Sequence, residues 1–75
     1  MYKVYMRDGC GYCTLAKRLL EQKNIKYEEI NVWKDESAMK FLQNNYLRTV
    51  PQIYNDKGIH IGGYTELQER IHEIN

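Results

Sequence analysis

The stretch Tyr2-Lys3-Val4-Tyr5-Met6-Arg7-Asp8-Gly9-Cys10-Gly11-Tyr12-Cys13-Thr14-Leu15-Ala16-Lys17-Arg18-Leu19-Leu20 decides the fold. Tyr2 to Met6 reads as a short strand and Leu15 to Leu20 as a helix, with Cys10-Gly11-Tyr12-Cys13 at their junction. The chain has 2 cysteines, and both lie in this junction. Two intervening residues let the sulfurs meet across one tight turn, so the pair can cycle between dithiol and disulfide. Cys10 falls near the first turn of the helix, where unsatisfied N–H groups and the positive end of the macrodipole stabilise a thiolate.

Two duller readings compete with a redox pair. As a structural staple, a four-residue loop constrains the unfolded chain by only about 2 kcal/mol and ties together nothing distant. A zinc site needs about four ligands, and the remaining candidates, His60 and His72, fall on different predicted elements. Close Cys-x-x-Cys spacing next to a β-α-β pattern favours redox chemistry.

At 75 residues the chain is expected to make one domain, residues 1–75, with 43% hydrophobic residues for its core. Lysine and arginine number 11 against 10 acidic residues, a formal charge of +1 that argues against nucleic-acid or anionic-membrane binding. The N-terminus reads directly as a strand, without a secretory signal, and no apolar run approaches the ~20 residues of a membrane span. A lone close cysteine pair fits a cytoplasmic location better than a secreted scaffold.

Outward from the junction, the first helix is expected over Gly11 to Lys23, with Leu15, Ala16, Leu19 and Leu20 on its apolar face and Asn24 as its stop. Lys26 to Val32 forms a second strand, parallel to the first because a helix joins them. Asp35 or Ser37 caps a second helix running to Tyr46, with Ala38, Phe41, Leu42 and Tyr46 at helical spacing. Gln52-Ile53-Tyr54 and Ile59-His60-Ile61 pair as a hairpin around Asn55-Asp56-Lys57-Gly58, and Gly62-Gly63 ends it. Thr65-Glu66-Leu67-Gln68 reads as a capping box opening a last helix, with Leu67, Ile71 and Ile74 inward. The order β-α-β-α-β-β-α predicts an α/β fold, a four-stranded mixed sheet flanked by three helices. His60 and His72 are expected at the surface or rim. Trp33, Phe41 and most tyrosines are expected to serve the core and amphipathic surface.

Four segments in this order resemble the glutaredoxins: Arg7 to Cys13, Ala16-Lys17, Thr49-Val50-Pro51-Gln52-Ile53, and His60 to Thr65. The resemblance covers nearly the whole chain and implies the thioredoxin-like fold. It implies that Cys10 is the nucleophile and Cys13 the resolving thiol of a glutathione-dependent thiol–disulfide oxidoreductase. Protein disulfides and glutathionylated proteins would be its substrates, with ribonucleotide reductase a candidate recipient and a monomer the expected state. The resemblance also implies a cis Val50–Pro51 bond and a backbone at Val50 that pairs with extended substrate. Gly63-Tyr64-Thr65-Glu66 would hold the γ-glutamyl end of glutathione. Arg7 would face the glycine carboxylate with help from Arg48, while Thr49 lies in the loop beside Pro51 and Tyr12 walls the cleft.

Gly11 departs from the family pattern, which often has proline at that place. Some members lacking the proline bind a [2Fe–2S] cluster between two protomers, with one cysteine from each, here Cys10, and two glutathione thiolates. A cluster carrier is therefore one alternative. A redoxin reduced by thioredoxin reductase is the other. Otherwise no metal is expected.

Overall fold

The computed structural model describes residues 1–74, with side chains described as far as Ile71. The expected inward placement of Ile74 and surface placement of His72 concern side chains outside the described residues. The elements run β1 (Tyr2–Met6), α1 (Gly11–Gln22), β2 (Tyr27–Asn31), α2 (Glu36–Asn44), β3 (Gln52–Tyr54), β4 (His60–Gly62) and α3 (Tyr64–Ile74). They form one mixed sheet in the order β2-β1-β3-β4, flanked by the three helices. β1 pairs parallel with β2, as Tyr5 opposite Ile30, and antiparallel with β3, as Val4 opposite Ile53. No helix among the described residues is long and apolar enough to cross a membrane.

Alternation along β1 divides the core between two faces. Val4 and Met6 join Cys13, Ala16, Leu20, Ile53, Ile61, Leu67 and Ile71 beneath α1 and α3. Tyr5 faces the other way, with Val32, Ala38 and Leu42 beneath α2. Cys13 is thus a core residue as well as half of the pair, and it displaces an expected one. The buried stripe of α1 runs Cys13-Ala16-Leu20, which turns Leu15 to solvent at 39% exposure, against the expected apolar face.

Both α1 and α2 end in the same way. Asn24 N–H donates to the Glu21 carbonyl and Ile25 N–H to the Leu20 carbonyl. Tyr46 N–H donates to the Gln43 carbonyl and Leu47 N–H to the Leu42 carbonyl. Each pair is a Schellman motif, whose turning residue is left-handed: Asn24 at φ 57° and Tyr46 at φ 58°. Asn24 is the expected stop. Tyr46 was expected to continue the apolar face of α2, yet it lies beyond the helix and is 89% exposed. Phe41 sits at the rim of the same face, with its ring stacked on Tyr5 at 5.3 Å.

Of the two expected caps for α2, Asp35 is the one used: its Oδ1 accepts the Ala38 N–H at 3.1 Å and the Ser37 hydroxyl at 2.6 Å. These bonds, the Ser37 hydroxyl foremost, hold its carboxyl below the ordinary aspartate value. A lowered folded-state pKa contributes stability above the unfolded value, and that contribution is lost as pH falls through the folded value. Thermal unfolding followed down through that range should therefore show a steeper acid loss in wild type than in Asp35→Ser, which keeps a cap that does not titrate. Equal losses would contradict this origin of acid sensitivity.

Candidate functional site

Cys10 is the N-cap of α1. Its backbone is extended (φ −98°, ψ 106°), and Gly9 before it is left-handed at φ 71°, which turns the chain from β1 into the helix. The Cys10 Sγ takes the position of a capping oxygen and accepts the Cys13 N–H at 3.2 Å. A negative sulfur at this place gains a donor and the positive helix end together. The two sulfurs stand at disulfide distance, with Cα atoms 5.3 Å apart. Cys13 is 1% exposed, whereas Cys10 is only half-buried, so an incoming sulfur can approach Cys10 alone.

Val50–Pro51 is cis, as the resemblance implies. The Val50 carbonyl lies 3.7 Å from Cys10 Sγ, which brings the third segment of the sequence onto the cysteine pair. Arg48 and Thr49, both exposed residues, precede it. Arg7, Arg48, Thr49 and Val50 share the wall of a groove of about 720 Å³ with Trp33 and Leu47. That groove lies beside the sulfurs and does not include them. The cysteines line a smaller recess of about 410 Å³ together with Arg7, Gly9, Gly11 and Thr14, so Arg7 borders both spaces. At Gly11 there is room for a side chain, because a β-carbon there would meet nothing within 4 Å.

Tyr12, Gly63, Tyr64, Thr65 and Glu66 line neither recess. They form a rim that meets the Pro51 backbone at Gly63, where Tyr12 is 65% exposed and its ring centre lies 6.0 Å from that of Tyr64. Here the expected capping box shifts by two residues. Thr65 lies inside α3 and is exposed. Only the return half of the box is made: the Gly63 N–H donates to Glu66 Oε1 at 2.7 Å, while the Gly63 carbonyl accepts the first helical bond from the Leu67 N–H at 3.0 Å. Glycine has no side chain to cap the N–H groups that follow it at the start of α3. The glycine with the demanding backbone is Gly62, at φ 123° with the Glu66 side chain against it.

Sequence reasoning missed Gln52 as more than a strand residue. It is a buried polar residue at 6% exposure. Its Nε2 donates to the Thr49 carbonyl at 3.0 Å and to the Thr49 hydroxyl at 3.2 Å. Its Oε1 pairs with His60 Nε2 at 2.7 Å, and the His60 ring stacks on Tyr54 at 4.8 Å. Gln52 thereby ties the loop before Pro51 to β4. The signal was a polar residue at an inward strand position, which must find partners when buried. Trp33 was also missed: it stands 60% exposed beneath the Arg7 guanidinium. Among the described residues no group of three or more histidine, cysteine or acidic side chains is arranged for a metal ion.

Residues 3–61 match the glutaredoxin family model. Glutaredoxin 1 of Rickettsia felis is 44% identical over 63 residues, which cover 80% of this chain and 61% of that protein. The chain thus spans about three fifths of the length of this curated relative. Among solved structures, glutaredoxin 1 from Francisella tularensis in complex with cacodylate superposes with a TM-score of 0.78 at 37% identity, covering 97% of this chain and 93% of that one. The buckwheat glutaredoxin–glutathione complex superposes with a TM-score of 0.81 at 29% identity, covering 96% of this chain and 68% of that one.

Proposed function

This chain belongs to the glutaredoxin family, and from that premise we propose that residues 1–75 form one glutaredoxin domain that reduces disulfides at the expense of glutathione. The observation that carries the reading is the Cys10 sulfur at the N-cap of α1, half-exposed, with the buried Cys13 sulfur at disulfide distance. The Cys10 thiolate attacks a disulfide sulfur. A new Cys10–substrate bond forms, the old S–S bond breaks, and the departing thiolate takes a proton. On a protein disulfide, the Cys13 thiolate then attacks Cys10 Sγ, which releases the reduced protein and leaves the Cys10–Cys13 disulfide. Two glutathione thiols return that disulfide to the dithiol and leave as glutathione disulfide. On a glutathione mixed disulfide, Cys10 takes up the glutathionyl group, and one further glutathione frees it. A depressed thiol pKa raises the thiolate fraction at neutral pH while reducing the nucleophilicity of each thiolate.

The binding residues divide into the sides already described. The Val50 backbone beside Pro51 pairs with substrate in the manner of an added strand. Arg7 receives the glycine carboxylate of glutathione, with Arg48 and Thr49 along the same wall. The first N–H groups of α3, at Tyr64 and Thr65 after Gly63, receive the γ-glutamyl end, and Tyr12 walls that side. Glu66 acts through its bond to Gly63, so its carboxylate shapes this end and does not meet the anion. The buckwheat relative, solved as a glutathione complex, supports the choice of reductant. The domain acts as a monomer in a reducing, cytoplasmic compartment, on disulfide-containing or glutathionylated proteins, with ribonucleotide reductase as one recipient to be tried.

Cys13→Ser tests this division. It should keep turnover of a small glutathione mixed disulfide within about threefold of wild type, because Cys10 and glutathione complete that cycle alone. Reduction of a protein disulfide should fall by at least about tenfold, because the mixed disulfide has lost its internal resolving thiol. Equal loss on both substrates would contradict the assignment. Supplying thioredoxin reductase in place of glutathione and glutathione reductase should not sustain turnover, and efficient turnover would favour the redoxin reading. Anaerobic incubation with iron, sulfide and glutathione separately checks a cluster shared through Cys10, by its visible absorbance.

A further inference from the structure

Beside the cysteines lies a ring of contacts of which only Arg7 has been given a role. It joins the C-terminal ends of the parallel strands β1 and β2. The Trp33 N–H donates to Asn31 Oδ1 at 3.0 Å, and Asn31 Nδ2 donates to Asp8 Oδ1 at 3.1 Å. Arg7 Nη1 donates to the Asp8 carbonyl at 3.0 Å, and the Arg7 guanidinium carbon lies 5.3 Å from the centre of the Trp33 ring. These contacts close on one another. They fix the end of β2 against the start of the cysteine loop and set an aromatic face under a cation.

The charge of Arg7 is held there without being neutralised. The salt bridge among the described residues joins Lys17 to Glu29, and the Asp8 carboxylate is engaged by Asn31. An arginine side chain left to itself samples many rotamers, and a receptor held in its bound geometry loses less freedom on binding. Arg7 is partly buried and borders both the groove and the recess that holds the cysteines.

We propose that Trp33, held by Asn31, is a positioning residue for Arg7: it keeps the guanidinium at the junction of the two recesses to receive the glycine carboxylate of glutathione, and so sets the preference for glutathione over thiols lacking that group. The inference rests on the glutathione reading above.

A kinetic double-mutant cycle on the whole chain tests it, with Trp33→Ala, Arg7→Gln and the double variant turning over a small glutathione mixed disulfide. Trp33→Ala should raise the KM for glutathione about two- to fivefold, the range of an exposed cation–π contact, with kcat little changed. Arg7→Gln should raise it about tenfold, as loss of a charge-assisted bond does. In the Arg7→Gln background the Trp33 change should add almost nothing, and Trp33→Phe should restore most of the affinity. With γ-glutamylcysteine, which lacks the glycine carboxylate, wild type and Trp33→Ala should behave alike. Trp33 is the chain's 1 tryptophan, so a change in its emission in folded Arg7→Gln reports the contact directly. Asn31→Ala supplies a second route, with the same direction of change in KM. If Trp33→Ala raised KM by the same factor with and without Arg7, the positioning role would be overturned while the carboxylate reading stood. An unchanged KM in Arg7→Gln would overturn both.

Discussion

Cys10→Ser should abolish exchange with glutathione mixed disulfides and with protein disulfides alike, by at least about a thousandfold. The residue is the helix cap and, in the proposed mechanism, the nucleophile, and the substitution separates these roles. Serine is a favoured N-cap and can accept the Cys13 N–H as the sulfur does, so α1 keeps its start. A hydroxyl at neutral pH, however, supplies almost no anion to attack a disulfide sulfur. The reduced variant should therefore unfold at a temperature close to that of reduced wild type while showing no turnover. Comparison in the reduced state matters, because closing the Cys10–Cys13 loop contributes about 2 kcal/mol to the oxidised protein alone. Measurable exchange by a folded Cys10→Ser protein would move the nucleophile to Cys13, whose 1% exposure leaves no path for a substrate sulfur.

Gly62→Ala should be the most damaging single methyl at the site, costing about 2–4 kcal/mol of stability. Gly62 ends β4 at φ 123°, a backbone region that L side chains rarely adopt. A β-carbon there would stand 2.8 Å from Glu66 Cγ and 2.9 Å from Glu66 Cβ. The latter atom is fixed to the helix and cannot swing away, so the methyl must displace the start of α3. For a chain of this size the loss corresponds to a fall in Tm of about 13–25 °C. The displacement also disturbs the Gly63 N–H bond to Glu66 and the donors after it, so glutathione KM should rise with the loss of stability. Gly63→Ala is the control: its added carbon would meet the carboxylate end of Glu66 at 3.3 Å, and a flexible end can yield. Equal Tm values for the two variants would show that the strain lies elsewhere.

Element order and type were legible because each element carries a local signal. Val4 and Met6 alternate with Tyr5 and Arg7, Asn24 marks a helix end, and Asn55 to Gly58 composes a turn. The strand ends shifted by a residue: β2 ends at Asn31, whose side chain bonds the Trp33 N–H, and β4 begins at His60 and reaches Gly62. The misplaced features have a common origin in non-local packing. Cys13 took the core position that helical spacing allowed to Leu15, and Leu47 folded back on α2 in the place that Tyr46 was expected to fill. The Glu66 side chain turned back to Gly63, which moved the cap two residues ahead of the Thr65 signal.

At the site, the cysteines and the Val50–Pro51 step were legible because their spacing and context are distinctive. The groupings of the remaining residues were not. Arg7 and Arg48 share a groove with Trp33, while Gly63 to Glu66 stand on a different rim, and no short spacing in the sequence encodes that separation. Gln52 and His60 meet across the β3–β4 hairpin, which a linear reading pairs only in outline.

The account stands most directly on one measurement: turnover of a small glutathione mixed disulfide by the wild-type chain, coupled through glutathione and glutathione reductase to NADPH oxidation. It predicts turnover that saturates with glutathione and vanishes in Cys10→Ser. No turnover from a folded protein with two titratable thiols would contradict it.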